Sequence, residues 1–486
     1  MRRRDALKSI GTLAGAGAAS RLLAGCGDDL RRAAGGAGAD AGGRPDAGGG
    51  PDAGGPDAAV QGITTYVVVM MENRSYDHYL GARGLLEGLP GDGLTADMAN
   101  PDVDDTIVPI YRETDYCVAD PPHGWDPSRN QFDAGANDGF LRAYRAAHEG
   151  KKLLPYVMGY FGREDIPLSW ALADKYASSD RWFSSVLGPT FPNRFYLHSG
   201  QSGGRMDNSF MAADWPSFPR QLSDAGIPWT YYYSDLPFLA LFADLSDLAS
   251  THYKTFPGDF MDDAAAGRLP PVTIIDAIFV GPFGNDDHPP RHPIRGQAYL
   301  ASIYAALAAS PQWNNTMLIH TYDEHGGFFD HVAPPLAVDD RADQGFDQLG
   351  FRVPMLAAGP YVKQGYLSSV VRDHTSVIKH LCGALDLEPP TARAAAAEDL
   401  SELIDQERLA ALDPAPPAEM PAIVVDESTI EDECNPGVML HVNDMEHLAD
   451  TGFFGHFDHR AHSRDTLFDI GAALERLNAG RIRRGR

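Results

Sequence analysis

From Tyr66 to Met71 the chain is apolar and β-branched without interruption, and it turns polar at once at Glu72-Asn73. So short an apolar run, bounded so sharply, predicts a strand buried on both faces of a parallel sheet. The layout recurs four times. Pro228–Tyr233 stops at Ser234-Asp235, Pro271–Ile275 at Asp276, Met317–Tyr322 at Asp323-Glu324, and Val353–Ala358 at Gly359-Pro360. Between the 271 and 317 segments, Gln297–Ala309 is rich in Ala and Leu with apolar residues at helical spacing, which predicts a crossover helix. Strands alternating with helices predict an α/β fold with a mostly parallel central sheet and helices on both faces. Right-handed crossovers then put all the polar strand ends on one rim. With 50 Gly and 36 Pro, long loops are expected to build that rim.

Four clusters converge there. Glu72 and Asn73 are adjacent hard oxygen donors beyond a strand's carboxyl end, where open α/β sheets bind ligands. The competing reading is a helix start capped by Asn73. Asp323 and Glu324 open the run Asp323–His331; vicinal carboxylates repel unless a cation or proton lies between them, or unless they point to opposite faces. In Gly188–Arg194, Pro189 and Pro192 stiffen the backbone around Thr190, whose hydroxyl is a weak nucleophile until its pKa is depressed. In Asn285–Pro290, Asp287 is placed to orient His288 as a general acid, and His123 is held by similar Pro and Gly neighbours in Pro121–Trp125.

Composition narrows the partners. The 486 residues are 43% hydrophobic and carry a formal net charge of −27, which argues against nucleic acid and against adsorption to an anionic membrane by charge alone. A phosphorylated substrate would need a local positive site such as a metal ion. Residues 1–26, with Arg2-Arg3-Arg4 and a closing Leu22-Leu23-Ala24-Gly25-Cys26, resemble a twin-arginine export signal joined to a lipoprotein cleavage box. The expectation is an exported lipoprotein, membrane-anchored through lipid on Cys26, in the periplasm or at the cell surface. Residues 27–60, of Gly, Ala, Pro and Asp, read as a flexible tether. With Cys26 lipidated, Cys117, Cys382 and Cys434 can form at most one disulfide. Cys382 falls in an amphipathic helical pattern and reads as a buried hydrophobe, so Cys117–Cys434 is the preferred pair.

Seven stretches then carry a resemblance: Met71–Tyr79, Pro122–Trp125, Gly188–Arg194, Leu269–Val272, Asp287–Pro290, Asp323–Pro335 and His374–Ser376. In this order they resemble the bacterial phosphoesterase family of phospholipases C and related acid phosphatases, distant relatives of alkaline phosphatase in fold. The resemblance, over roughly 61–390, implies an alkaline-phosphatase-like catalytic domain, expected to run over 61–410; 411–486, where the chain departs from the family, is expected to be an extension packing on it. It implies that Glu72, Asn73, Asp323 and Glu324 bind one divalent metal ion (Ca, Mg, Mn or Zn). By the same match Thr190 is the nucleophile, His288 and His123 contact the phosphoryl oxygens or protonate the leaving group, His252 is a looser match to a further pocket histidine, and His331 supports the Asp323 loop. The expected activity is metal-dependent hydrolysis of phosphate esters, phospholipase C-type cleavage of phosphodiesters through a phosphothreonine. The alternatives are an acid phosphatase acting on monoesters and a non-catalytic surface lipoprotein that binds phosphorylated ligands. His456, His459 and His462 read as a solvated loop rather than a metal site.

Overall fold

The computed structural model of the chain describes residues 62–434, 445, 447–448 and 458–485. The export signal, the tether and His456 lie outside the described residues. Eight strands form one sheet: β1 (Thr65–Met71), β2 (Ala177–Ser179), β3 (Trp229–Tyr233), β4 (Tyr253–Thr255), β5 (Val272–Ile275), β6 (Thr316–Tyr322), β7 (Met355–Ala358) and β8 (Tyr366–Ser368). Their order is β8-β2-β7-β6-β1-β5-β3-β4. β1 lies between β6 and β5 and is parallel to both, with all seven of its residues buried. An uninterrupted apolar run can occupy only such a position.

All five strands expected from hydrophobic runs form, with ends shifted by at most two residues. One runs the other way. β7 is antiparallel to both β6 and β2, so Gly359-Pro360 is on the rim opposite Glu72 and Asp323. The cause is the connection: residues 323–354 hold no helix beyond the 3-10 turn Ala342–Gln344, and a strand entered through a loop from the neighbour's end returns antiparallel. The three strands absent from the hydrophobic pattern, β2, β4 and β8, are three residues long, too short to show a period.

Six helices bear on the site: α1 (Trp125–Phe132), α2 (Pro167–Lys175), α3 (Thr190–Ser199), α4 (Pro293–Ala309), α5 (Thr375–Ala384) and α6 (His459–Arg476). α4 is the expected crossover, begun four residues early by Pro293 at N1 and the His292 side chain, which accepts from the Ile294 N–H. Thirteen of its residues are buried, because the chain's end covers it. That cover consists of α6 and the parallel pair β9 (Ile423–Asp426) and β10 (Gly480–Arg483). Arg295 of α4 meets both carboxylate oxygens of Glu427, with both side chains buried. Cys117 and Cys434 are bridged and Cys382 is a buried free thiol, as the sequence favours.

Candidate active site

β1 and β6 end level, Met71 opposite Tyr322, so Glu72-Asn73 and Asp323-Glu324 leave the sheet side by side. Backbone bonds fix the four. The Asp323 N–H donates to Met71 O (3.0 Å), Arg74 N–H to Glu324 O (3.1 Å) and Glu72 N–H to Asp286 O (2.8 Å). Asp323 Oδ1 accepts from the N–H groups of Asn73 (3.1 Å) and Glu324 (2.7 Å). Asn73 is itself left-handed (φ 63°), a conformation that Asn tolerates better than most side chains. Gly326 closes against it: a Cβ there would stand 2.1 Å from Asn73 O, so only glycine lets the two loops touch. The helix-cap alternative for Asn73 does not hold, since Ser75 caps the short helix that follows.

Each of the four side chains keeps one buried oxygen without a hydrogen-bond partner: Glu72 Oε1, Asn73 Oδ1, Asp323 Oδ2 and Glu324 Oε1. Unpaired buried carboxylate oxygens are costly unless a cation serves them. Burial first, then Asp286 and Asp323, push the Glu72 carboxyl well above its usual range against the pull of Arg194. Burial likewise raises Glu324, with Asp323 adding to it and His123 opposing. The donor set therefore fits a hard divalent cation. Arg194 provides the local positive charge of the protein itself, with Nε 3.5 Å from Glu72 Oε1 and 3.4 Å from Asp323 Oδ2, and Nη1 3.2 Å from Asp276 Oδ1.

Arg194 also locates Thr190. The two are four residues apart on α3 and so share a face, Thr190 at the first position of the helix and Arg194 one turn in. Asn193 braces the approach: its Oδ1 accepts from Val186 N–H (3.0 Å) and its Nδ2 donates to Gly188 O (3.0 Å) and Pro189 O (3.1 Å). A hydroxyl at a helix N-terminus sits in the positive end of the helix dipole, where a phosphoryl group is favoured.

A second cluster adjoins the first. Asp120, His123 and His288 each bring a ligand atom within 4.8 Å of the others, a group able to hold a metal. Glu72, Asp323 and Glu324 do not form so tight a group. His123 Nδ1 lies 2.7 Å from Pro121 O and its Nε2 lies 3.1 Å from Asn73 Nδ2. The rings of His123 and His288 meet edge to face at 5.6 Å. His288 Nδ1 lies 2.5 Å from Pro289 O, and its N–H donates to Asp286 Oδ1 (3.1 Å).

Two expectations change. Asp287 does not orient His288: its Oδ2 accepts from Tyr322 (2.7 Å) and Tyr79 (3.0 Å), and burial pushes its carboxyl up to about 7. Its positive φ of 75° turns the side chain back to the core. His252 is not brought to this rim. It stacks on Trp229, which pairs with Val272 at the level of Tyr66, so it lies at the strand starts, about 20 Å of strand from Glu72 at ~3.3 Å per residue. His331 pairs with Asp77 (2.6 Å) and Asp92 (3.1 Å), next to the buried Asp77–Arg352–Asp330 pairs that hold the loop after Glu324. His459 starts α6, and His462 Nε2 bonds Ser234 O (2.7 Å), so these two serve the fold.

Pattern reading placed Asp276 only as a strand end and passed over Asp120 and the role of Arg194. Asp120 stands one Pro-Pro pair before His123, Asp276 ends a strand, and Arg194 is one helical turn from Thr190, so each carried a usable signal.

A family model described as the Phosphoesterase family matches residues 63–387. Non-specific phospholipase C6 of Arabidopsis thaliana is 32% identical over 337 residues, 64% of this chain and 64% of its own length. Non-specific phospholipase C1 of the same plant is 34% identical over 339 residues, 63% of this chain and 62% of its own. Phospholipase C A of Mycobacterium tuberculosis is 30% identical over 388 residues, 68% of this chain and 74% of its own. The chain thus spans less than two thirds of the length of the two plant relatives. Among solved structures, a protein in the alkaline phosphatase superfamily from Vibrio parahaemolyticus matches 70% of this chain and 71% of its own, at 10% identity and a TM-score of 0.36.

Proposed function

Because the chain belongs to the Phosphoesterase family, we propose that it hydrolyses phosphate esters, by phospholipase C-type cleavage of phosphodiesters with Thr190 as the attacking hydroxyl. The observation that carries this reading is the set of four buried oxygens without a hydrogen-bond partner on Glu72, Asn73, Asp323 and Glu324, two of them facing Arg194 on the helix that begins at Thr190. Those four residues would hold a divalent cation, which supplies charge to polarise a phosphoryl oxygen and to ease ionisation of a nearby hydroxyl. The alternative placement is Asp120, His123 and His288, whose mixed oxygen and nitrogen donors suit a softer ion.

In this mechanism the Thr190 hydroxyl releases its proton to solvent and attacks phosphorus in line, its oxygen bonding as the bond to the departing alcohol breaks. Positive charge from Arg194 and the first N–H groups of α3 offset the charge on the phosphoryl oxygens. His288 donates the proton that the departing alcohol needs, and His123, fixed between Pro121 and Asn73, contacts the phosphoryl group. Water then hydrolyses the phosphothreonine.

Acid phosphatase action on monoesters is the second reading, since nothing in the donor set selects the ester's second substituent. Phospholipid is the diester substrate we favour, reached through a lipid anchor on Cys26 of an exported lipoprotein. A panel of p-nitrophenyl mono- and diesters and phosphatidylcholine vesicles, with and without chelator, tests all of this. Diester turnover lost on chelation and in Thr190→Val supports the proposal. Undiminished turnover in Thr190→Val removes that hydroxyl from the reaction, and a strong monoester preference favours the phosphatase reading.

A further inference from the structure

We infer that the Cys117–Cys434 disulfide is a positioning element for the histidine side of the site: it ties the loop of residues 113–124 to the end of the chain and thereby holds Asp120 and His123 against His288 and Asn73. The inference rests on the phosphoesterase reading above.

Residues 113–124 lie in neither helix nor strand, between the short strand Tyr111–Arg112 and α1. Cys117 precedes Asp120 by three residues and His123 by six. Its partner is 317 residues away in sequence, with a Cα–Cα distance of 5.2 Å. Cys434 ends the helix Glu427–Glu433, whose start is fixed by Asp426 accepting from Ser428 N–H and by Glu427 on Arg295 of α4. Beside Cys117, the Tyr116 ring stacks on His292 at 4.5 Å, and His292 caps the same helix α4. α4 is also the helix into which the Asp286–His288 loop runs, through Arg291 paired with Asp286. Both histidines of the Asp120–His123–His288 group are thus referred to one helix start, His288 through its own chain and His123 through the disulfide and the Tyr116 stack. Beyond Glu113, whose N–H meets Tyr160 O at 2.9 Å, the loop makes no ladder bonds and takes its position from side-chain bonds, such as His148 to Asp120 O (2.9 Å) and Gln131 to Pro122 O (2.7 Å), and from these cross-links; a misplacement on the order of 1 Å costs about a hundredfold in rate.

The test replaces both cysteines in the full chain (Cys117→Ser with Cys434→Ser) and compares kcat and KM with wild type at a temperature where both are folded by circular dichroism. The expected result is a kcat loss of about tenfold or more with KM changed less than about twofold, and little further loss when the pair is added to His123→Asn. A second readout needs no turnover: the imidazole resonances of His123 in ¹⁵N-histidine-labelled protein, identified by their loss in His123→Asn. They should shift or broaden in the serine pair. Should the pair fail to fold, dithiothreitol reduction of folded wild type gives the same comparison. An unchanged His123 resonance, an unchanged kcat, or the same fold-loss with and without His123 overturns the inference. Should wild type turn over no ester, the phosphoesterase reading falls and the His123 resonance alone decides this one.

Discussion

Glu72, Asn73, Asp323 and Glu324 project from the ends of two adjacent parallel strands, whereas Asp120, His123 and His288 hang on irregular loops held by side-chain contacts rather than by the sheet. The first group inherits its geometry from the sheet: once β1 and β6 pair in register, its backbone positions are set by bonds of 2.8–3.1 Å. The second is held by side-chain bonds from His148, Gln131 and Ser128, by a disulfide, by a ring stack and by two prolines. Strand ends therefore concentrate fixed charge, and loops bring in the groups that handle protons. The electrostatics differ accordingly. The strand-end group holds carboxyls raised by burial and by each other, and the charge of His123 opposes that rise at Glu324.

The largest effect should come from the strand ends. Asp323→Asn keeps the Asn73 contact through its amide oxygen but removes a charge, and should lower kcat about a thousandfold, about 4 kcal/mol of barrier, with the chain still folded by circular dichroism. Next is Arg194→Met, which leaves Glu72, Asp276 and Asp323 without their shared cation. Stability to urea should fall by about 3 kcal/mol and recover in part when a divalent cation is added. On the loop side, His288→Asn should cost about a hundredfold in kcat, more for alkyl than for p-nitrophenyl leaving groups, with cation binding untouched. Equal losses for both leaving groups would remove its role as acid.

The smallest effect is on stability with pH. Against the burial that lowers it, the Asp77 hydrogen bond and charge push His331 up to about 9 from an ordinary 6.5. Because the folded value is the higher, its contribution is complete below about pH 6.5 and is lost as pH rises through about 9. Thermal midpoints of wild type should fall across that window, and His331→Gln should flatten the fall.

Legibility in the sequence followed the same division. The run ending at Glu72 announces a buried strand because it is short, unbroken and closed at once by polar residues; the run ending at Asp323 does so with His320 and Thr321 inside it, and the adjacent donors of both are visible as text. The reversal of β7 was hidden because strand direction is decided by the connection, not by the strand's own residues. Asp287 misled because its neighbour in sequence, His288, is not its neighbour in space: a left-handed residue sends consecutive side chains apart. His252 misled through a motif match whose register in the sheet the text does not carry. The pairing of Cys117 with Cys434 was accessible only by setting the other thiols aside.

Calorimetric titration of the chelator-stripped full chain with manganese, in wild type, Asp323→Asn and His123→Asn, tests the central claim most directly. The account predicts one cation per chain, bound by wild type and by His123→Asn and lost in Asp323→Asn. Binding retained in Asp323→Asn but lost in His123→Asn would contradict it and move the cation to the histidine loops.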